Sequence, residues 1–143
     1  MGISKYNHEG YPDPTTYEAL SNVAKEEKAA KRVYRPLVYI CSPFAGDIEN
    51  NVNMARIYSR FAVRNDCIPL TPHLLFPQFM DDSIVSEREL ALFMGLVLLT
   101  KCEQVWVFGR IISKGMAAEI EKAEKKRIPV RYFTEELEEV RKE

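Results

Sequence analysis

From residue 37 onward, short apolar runs alternate with longer stretches in which apolar residues recur every three or four positions. The short runs are rich in β-branched and aromatic residues, and they predict four strands, at 37–41, 67–70, 104–108 and 129–133. The longer stretches predict three helices and a charged helix at the C-terminus, the three being 49–65, 86–101 and 113–126. The first of these helices has the clearest apolar face, formed by Met54, Ile57, Tyr58, Phe61 and Ala62.

This order of elements predicts an α/β protein with a three-layer Rossmann-like or flavodoxin-like fold and a mainly parallel sheet of four to five strands. Parallel neighbours need crossover connections, which place helices on both faces of the sheet. Because ligands of such sheets bind beyond the carboxyl ends of the strands, we expect residues 41–47, 71–80 and 109–119 to meet at one site. Residues 74–82 are predicted to be a connection that covers this site, because their apolar side chains are of an exposed type.

Residues 1–36 differ from the rest of the chain in composition. A segment rich in tyrosine, proline and aspartate leads into residues 15–32, which are rich in alanine, glutamate and lysine. The apolar spacing of this stretch is sparse, so it predicts an N-terminal helical arm that packs by one weak stripe or against a partner. We therefore divide the chain into an arm at 1–36 and an α/β domain at 37–143.

Charge and hydropathy exclude several classes of partner. The chain has 20 basic and 21 acidic residues and a net charge of −1, which gives no long-range attraction for nucleic acid or an anionic membrane. The longest uncharged apolar run, residues 90–100, is too short to span a bilayer. No apolar signal segment is found near the N-terminus, so we expect a cytoplasmic protein.

The cysteines and histidines give no metal or disulfide pattern. The three cysteines, Cys41, Cys67 and Cys102, are widely separated, and so are the two histidines, so we expect buried thiols and no metal site. Residues 41–46 follow the first strand, where a phosphate loop would lie. They lack the residues of a Walker loop, a dinucleotide fingerprint or a thiol phosphatase loop, and local sequence favours a turn with Asp47 as the helix N-cap.

The start of the third helix carries candidate chemistry. Ser113, Lys114 and Gly115 bring a hydroxyl, free backbone N–H groups and a positive helix end together, although Ser113 is also a common N-cap residue. Glu119 lies at the margin of the apolar stripe, where a carboxylate could act as a nucleophile or base. The alternative is an ordinary solvated glutamate paired with Lys122. Among other polar residues, His73 could contact a substrate. The carboxylates of residues 81 and 82 could bind Mg²⁺ together with a phosphate, or they could complement the dipole of the following helix.

Three motifs lie at the ends of predicted strands or just after them. They are Val-Tyr-Ile-Cys-Ser-Pro at 38–43, Thr-Pro-His at 71–73, and Ser-Lys-Gly-Met-Ala-Ala-Glu at 113–119, the last followed by Ile-Pro-Val at 128–130. Together they resemble the nucleoside 2-deoxyribosyltransferase-like superfamily, which includes the 2'-deoxynucleoside 5'-phosphate N-hydrolases and small phage and bacterial relatives. The resemblance covers residues 37–133, and the chain is most similar to the small relatives.

The resemblance implies a set of site residues. Glu119 falls on the family's nucleophile, which attacks the anomeric carbon of a deoxyribose, and Tyr39 falls on the tyrosine that positions it. Ser113 matches a serine that binds the 5'-phosphate in the hydrolases. Further substrate contacts are implied at Ser42, Pro43, Phe44, His73, Gly115 and Met116. A small nucleoside or nucleotide substrate, no cofactor and a homo-oligomer are also implied.

Two departures from the family pattern matter. The family's leaving-group acid falls near Gly95, which has no side chain, so Glu89, His73 or the carboxylates of residues 81 and 82 would have to assist the departing base. A serine and an arginine that bind phosphate in the hydrolases fall near Pro43 and Ala45. The leading hypothesis is therefore an N-glycosidic-bond enzyme, either a deoxyribosyltransferase or an N-hydrolase. The alternative is a catalytically inactive nucleoside- or nucleotide-binding module.

Overall fold

The computed structural model describes residues 33–141, and its helices and strands all lie in the compact unit Arg35–Glu143. The predicted N-terminal arm, 1–36, lies outside the described residues except for 33–36. There are ten elements in this part of the chain, in the order β1 Leu37–Cys41, α1 Ile48–Arg64, β2 Ile68–Leu70, α2 Pro72–Leu75, a 3₁₀ turn Phe76–Gln78, α3 Val85–Leu99, β3 Gln104–Phe108, α4 Lys114–Lys125, β4 Val130–Phe133 and β5 Glu139–Val140.

The sheet has five strands in the order β2-β1-β3-β4-β5. The first four strands are parallel, and β5 runs antiparallel to β4. This arrangement confirms the predicted α/β fold with a mainly parallel sheet. Strand β1 lies between β2 and β3, so the order of the strands reverses at β1. In doubly wound folds, ligands bind beside the strand at which the order reverses.

Alternation along β1 decides which side chains face which layer. Val38 and Ile40 belong to a core cluster under α1, together with Tyr58 and Ala62 of that helix. The intervening Tyr39 and its neighbour Cys41 belong to a second cluster on the other face, with Leu99 of α3 and Met116 and Ala123 of α4. The period of two along a strand therefore places Tyr39 under the two helices α3 and α4.

Two predicted N-caps are found at their helices. The Asp47 side chain accepts a hydrogen bond from the Asn50 N–H at 3.2 Å and caps α1. Ser113 caps α4 in the same way, accepting from the Met116 N–H at 3.3 Å. Each cap satisfies a backbone N–H that has no partner inside the helix, so the start of each helix is fixed by the sequence.

The C-terminal segment is not the predicted helix. After a turn in which Leu137 has a φ of 69° and its side chain packs on the core, the chain returns as β5 beside β4. Arg131 donates two 2.8 Å hydrogen bonds to the Glu139 carboxylate across the two strands. These contacts override the helical propensity of the glutamate-rich sequence.

The predicted connection at 74–82 is partly helical and partly buried. Pro72 begins the short helix α2, where its missing N–H costs nothing, and a 3₁₀ turn follows. Phe76, which was expected to be exposed, is only 9% exposed. Phe79 is 64% exposed, in agreement with the prediction. The connection therefore packs against the domain through Phe76 and leaves Phe79 exposed.

Helix α3 is apolar on almost every side, and among its residues only Gly95 and Leu99 are buried. Its outer face exposes apolar side chains, among them Leu90, Phe93 and Val97. Within residues 33–141, none of the helices combines the length and the apolar character that crossing a bilayer requires. The expected homo-oligomer and cytoplasmic location stay predictions.

Candidate functional site

A cavity of about 470 Å³ lies at the carboxyl end of β1, between α3, α4 and the connection after β2. All three segments that were expected to meet there contribute to its walls, and α3 adds a fourth wall. Its size is within the usual range for small-molecule sites. The residues that line it are Tyr39, Ser42, Phe44, Ala45, Pro72, His73, Phe76, Pro77, Asp82, Arg88, Glu89, Ala91, Leu92, Gly95, Ser113, Lys114, Gly115, Met116, Ala118 and Glu119.

Glu119 and Tyr39 form a buried pair in the wall of this cavity. The glutamate is only 4% exposed and the tyrosine 2%, and the interaction between their side chains shifts the pKa of both. Burial raises the pKa of Glu119 from 4.5 to about 7, although the hydrogen bond with Tyr39 lowers it. Burial, and then the nearby Glu119, raise the pKa of Tyr39 far above its usual value. The alternative of a solvated Glu119 paired with Lys122 is therefore wrong, since the carboxylate is removed from water.

Two buried polar atoms among the described residues have no hydrogen-bond partner, and both belong to residues that line the cavity. They are Oε2 of Glu119 and Oγ of Ser42. Buried polar atoms are normally paired, because an unpaired one costs about 1–3 kcal/mol. A ligand in the cavity that offered a partner to each atom would recover this energy.

His73 presents a neutral ring to the cavity. Its Nε2 lies 2.8 Å from the Ser42 carbonyl oxygen, which can only accept, so Nε2 carries the proton and Nδ1 is left as an acceptor. Burial lowers the pKa of His73, which favours this neutral form. The ring also stacks on Phe44, with the two centroids 4.9 Å apart. The pair offers a flat apolar surface next to one hydrogen-bond acceptor.

The N-terminus of α4 forms the opposite side of the cavity. Ser113 uses its oxygen as the cap, while Lys114 places a cation beside it. A Cβ atom built on Gly115 would meet nothing within 4 Å, so the glycine leaves open space at the helix start. Met116 is buried, and its carbonyl oxygen lies 3.9 Å from the Cys41 thiol. An anionic or hydroxyl-bearing group fits here beside free backbone N–H groups.

Of the site residues that the family resemblance implies, all but Pro43 line this cavity. Pro43 instead lines a separate cavity of about 170 Å³, beside Tyr58 and Glu135. Asp82 and Glu89 line the main cavity, whereas Asp81 does not and accepts hydrogen bonds from the backbone and hydroxyl of Ser83. Within residues 33–141, no three His, Cys, Asp or Glu side chains gather as metal ligands.

Comparison with known proteins gives the family. The family model described as a domain of unknown function (DUF7768) matches residues 36–133. The chain belongs to this family. A search of curated proteins finds no match.

Two solved structures are similar to this DUF7768 member. The 2-deoxyribosyltransferase of the psychrotolerant bacterium Bacillus psychrosaccharolyticus is 14% identical with a TM-score of 0.57, over 68% of this chain and 72% of that one. The 2-deoxyribosyltransferase of Leishmania mexicana is 17% identical with a TM-score of 0.50, over 69% of this chain and 64% of that one, which is just under two thirds of its length. These matches show a nucleoside 2-deoxyribosyltransferase-like fold, as the motifs predict.

Helix α3 of this DUF7768 member contributes three cavity residues that the sequence does not predict. Arg88, Ala91, Leu92 and Gly95 lie at i, i+3, i+4 and i+7, so they share one face of the helix, and all line the cavity. The sequence singles out Glu89 and Gly95 but not Arg88, Ala91 or Leu92, because a helix that is apolar on almost every side gives little amphipathic signal for its inner face. The spacing from Gly95 back to Arg88 is the one signal that could have found this face.

Proposed function

We propose that the protein cleaves the N-glycosidic bond of a nucleoside or nucleotide, with Glu119 as the nucleophile. The observation that carries this proposal is the Glu119 carboxylate, which is buried in the cavity wall with one oxygen unpartnered and Tyr39 beside it. A carboxylate that is deprived of water in the wall of a cavity is suited to covalent chemistry rather than to solubility. The likeness in fold to two 2-deoxyribosyltransferases supports the same reaction class.

The proposed reaction has two steps. The ionised Glu119 attacks the anomeric carbon of a deoxyribose, the C–N bond breaks, and the departing base keeps the electron pair and takes up a proton. Water or a second base then attacks the same carbon and releases the carboxylate, as in a retaining glycosidase. Tyr39 holds the carboxylate in place, and no step needs a metal or an organic cofactor.

The other cavity residues would bind the substrate. Ser113 and Gly115 lie at the helix end that would hold the sugar or its phosphate, with the buried Met116 behind them. Ser42, Phe44 and His73 offer a hydroxyl, an apolar face and a ring acceptor for the base. Among the candidates for assisting the departing base, Glu89 and Asp82 line the cavity beside His73.

A binding module without turnover is the second candidate function. It is favoured by Gly95, which leaves the position of the family's acid without a side chain. A module of this kind would gain stability from a nucleoside or nucleotide, because binding to the native state alone shifts the unfolding equilibrium. It would release no base from that ligand.

The test of the proposal is incubation of the purified chain with deoxynucleosides and their 5'-monophosphates, followed by chromatography for free base. A second arm quenches the reaction in acid and measures peptide masses. We expect base release from at least one compound, and a deoxyribosyl mass increase on the peptide that contains Glu119. Binding without base release from any compound would reject the enzyme in favour of the binding module.

Gly115→Ala should separate ligand binding from folding. The added methyl would meet no protein atom within 4 Å, and alanine is favoured over glycine in a helix by up to about 1 kcal/mol, so stability should stay equal or rise. If the ligand approaches the start of α4 closely, the methyl should raise KM about tenfold, in line with other over-packed contacts. Thermal unfolding and steady-state kinetics measure the two effects. An unchanged KM would place the ligand away from this helix end.

A further inference from the structure

We propose that Gly95 is a positioning residue: by lacking a side chain, it lets the Tyr39 hydroxyl lie against α3 and hold Glu119 in place. A Cβ atom built on Gly95 would lie 3.2 Å from Oη of Tyr39, closer than side chains normally approach, and 4.0 Å from Cγ of Pro72. A glycine at residue 95 avoids this tight contact with the phenol. The effect on activity rests on the proposed function, but the contact itself does not.

Tyr39 has little freedom to yield to a larger residue. It is 2% exposed and belongs to the core cluster with Leu99, Cys102 and Val105, so its ring is held on both sides by packed neighbours. A rigid ring cannot bend away as the end of a lysine or methionine can. A methyl at residue 95 would therefore move the hydroxyl by a few tenths of an ångström from its position beside Glu119.

This contact changes the interpretation of the missing acid. On the resemblance, the family's leaving-group acid falls near Gly95, and its absence favoured an inactive module. In this chain any side chain at residue 95 would bring its Cβ to 3.2 Å from the Tyr39 hydroxyl, so an acid there would press on the Tyr39–Glu119 pair. The glycine thus leaves the pair undisturbed, and any acid for the departing base has to come from another cavity residue.

The consequence of moving the hydroxyl can be measured at Glu119. The hydrogen bond with Tyr39 lowers the pKa of this carboxyl, while burial raises it to about 7. The other titratable groups that act on Tyr39 are the thiols of Cys41 and Cys102, and neither carries a positive charge. Burial and the Tyr39 bond are the causes of the Glu119 shift, and neither of the cations that line the cavity, Arg88 and Lys114, contributes to it. Weakening the Tyr39 bond should therefore raise the Glu119 pKa further.

The experiment is a double-substitution cycle with four proteins: wild type, Gly95→Ala, Tyr39→Phe and the double variant. The Glu119 pKa is followed by carbon NMR of labelled glutamate, and the melting temperature by thermal unfolding. Gly95→Ala should raise the pKa and lower the melting temperature. In the Tyr39→Phe background, where no hydroxyl meets the methyl, the same change should leave the pKa unchanged and should not lower the melting temperature.

Each outcome decides the proposal. If Gly95→Ala fails to fold, recovery of folding in the double variant supports the contact, and failure of both variants overturns it. An unchanged Glu119 pKa in Gly95→Ala, or an equal loss of stability in both backgrounds, also overturns it. Where base release is measurable, the pH–rate midpoint of Gly95→Ala should move to higher pH. Absence of base release in the wild type would reject the proposed function and leave the cycle interpretable.

Discussion

Replacing Glu119 by glutamine should lower the rate of base release by at least about a thousandfold, because an amide cannot form the glycosyl ester. Glutamine has the same shape and can still accept a hydrogen bond from Tyr39, so the cavity should keep its form. Loss of rate with retained ligand affinity would then reflect the chemistry alone. The measurement is base release under single-turnover conditions, beside ligand binding by calorimetry.

The same carboxylate sets the expected pH dependence. Since only the ionised form is a nucleophile and burial raises its pKa to about 7, kcat/KM should rise about tenfold for each pH unit below 7 and level off above it. Glu121→Gln is the matched control, because this glutamate lies two residues further along α4, is exposed and pairs with Lys125. A Glu119→Gln protein with more than a tenth of the wild-type rate, or a flat profile between pH 5 and 8, would contradict the assignment.

Local sequence signals were sufficient for most of the fold. The short apolar run at 37–41 predicted a strand, the five-residue apolar face predicted α1, and Asp47 and Ser113 predicted two helix starts, since each of these depends on neighbours within a few positions. The C-terminal segment failed for the opposite reason. Its glutamates favour a helix locally, but Leu137 packs on the core and Glu139 pairs with Arg131, contacts that no local pattern contains.

The candidate site could be located from sequence but not oriented. Positions that follow strands or begin a helix, such as His73 and Ser113, were found because strand ends meet at one edge of a parallel sheet. The cavity that Pro43 lines and the inner face of α3 were not found from sequence. A turn residue, and a helix that is apolar on almost every side, show no periodicity that selects one side. The burial of Glu119 depends on β1 and α3, which are distant in sequence, and the margin of an apolar stripe could only suggest it.

Glu119→Gln should also stabilise the fold above neutral pH, by about 3 kcal/mol at pH 8. The pKa of Glu119 is 4.5 in the unfolded chain and about 7 in the native protein. Between these values the native state keeps a proton that the unfolded state has lost, so the stability from this group is fully present below pH 4.5 and is lost as the pH rises through 7. At about 1.4 kcal/mol for each pH unit between the two values, the loss is about 3 kcal/mol, and glutamine does not incur it.

Denaturant unfolding of wild type and Glu119→Gln at several pH values from 4 to 8 measures this gap. It should be near zero at pH 4, open between pH 4.5 and 7, and stay constant above that, because the other titrating groups are common to both proteins. Glu121→Gln should change stability by no more than about 0.5 kcal/mol at any of these pH values, since it removes only an exposed pair. A stability difference that does not vary with pH would mean that Glu119 is ionised as readily in the native state as in the unfolded chain. The carboxylate would then be solvated in the native protein rather than buried in the cavity wall.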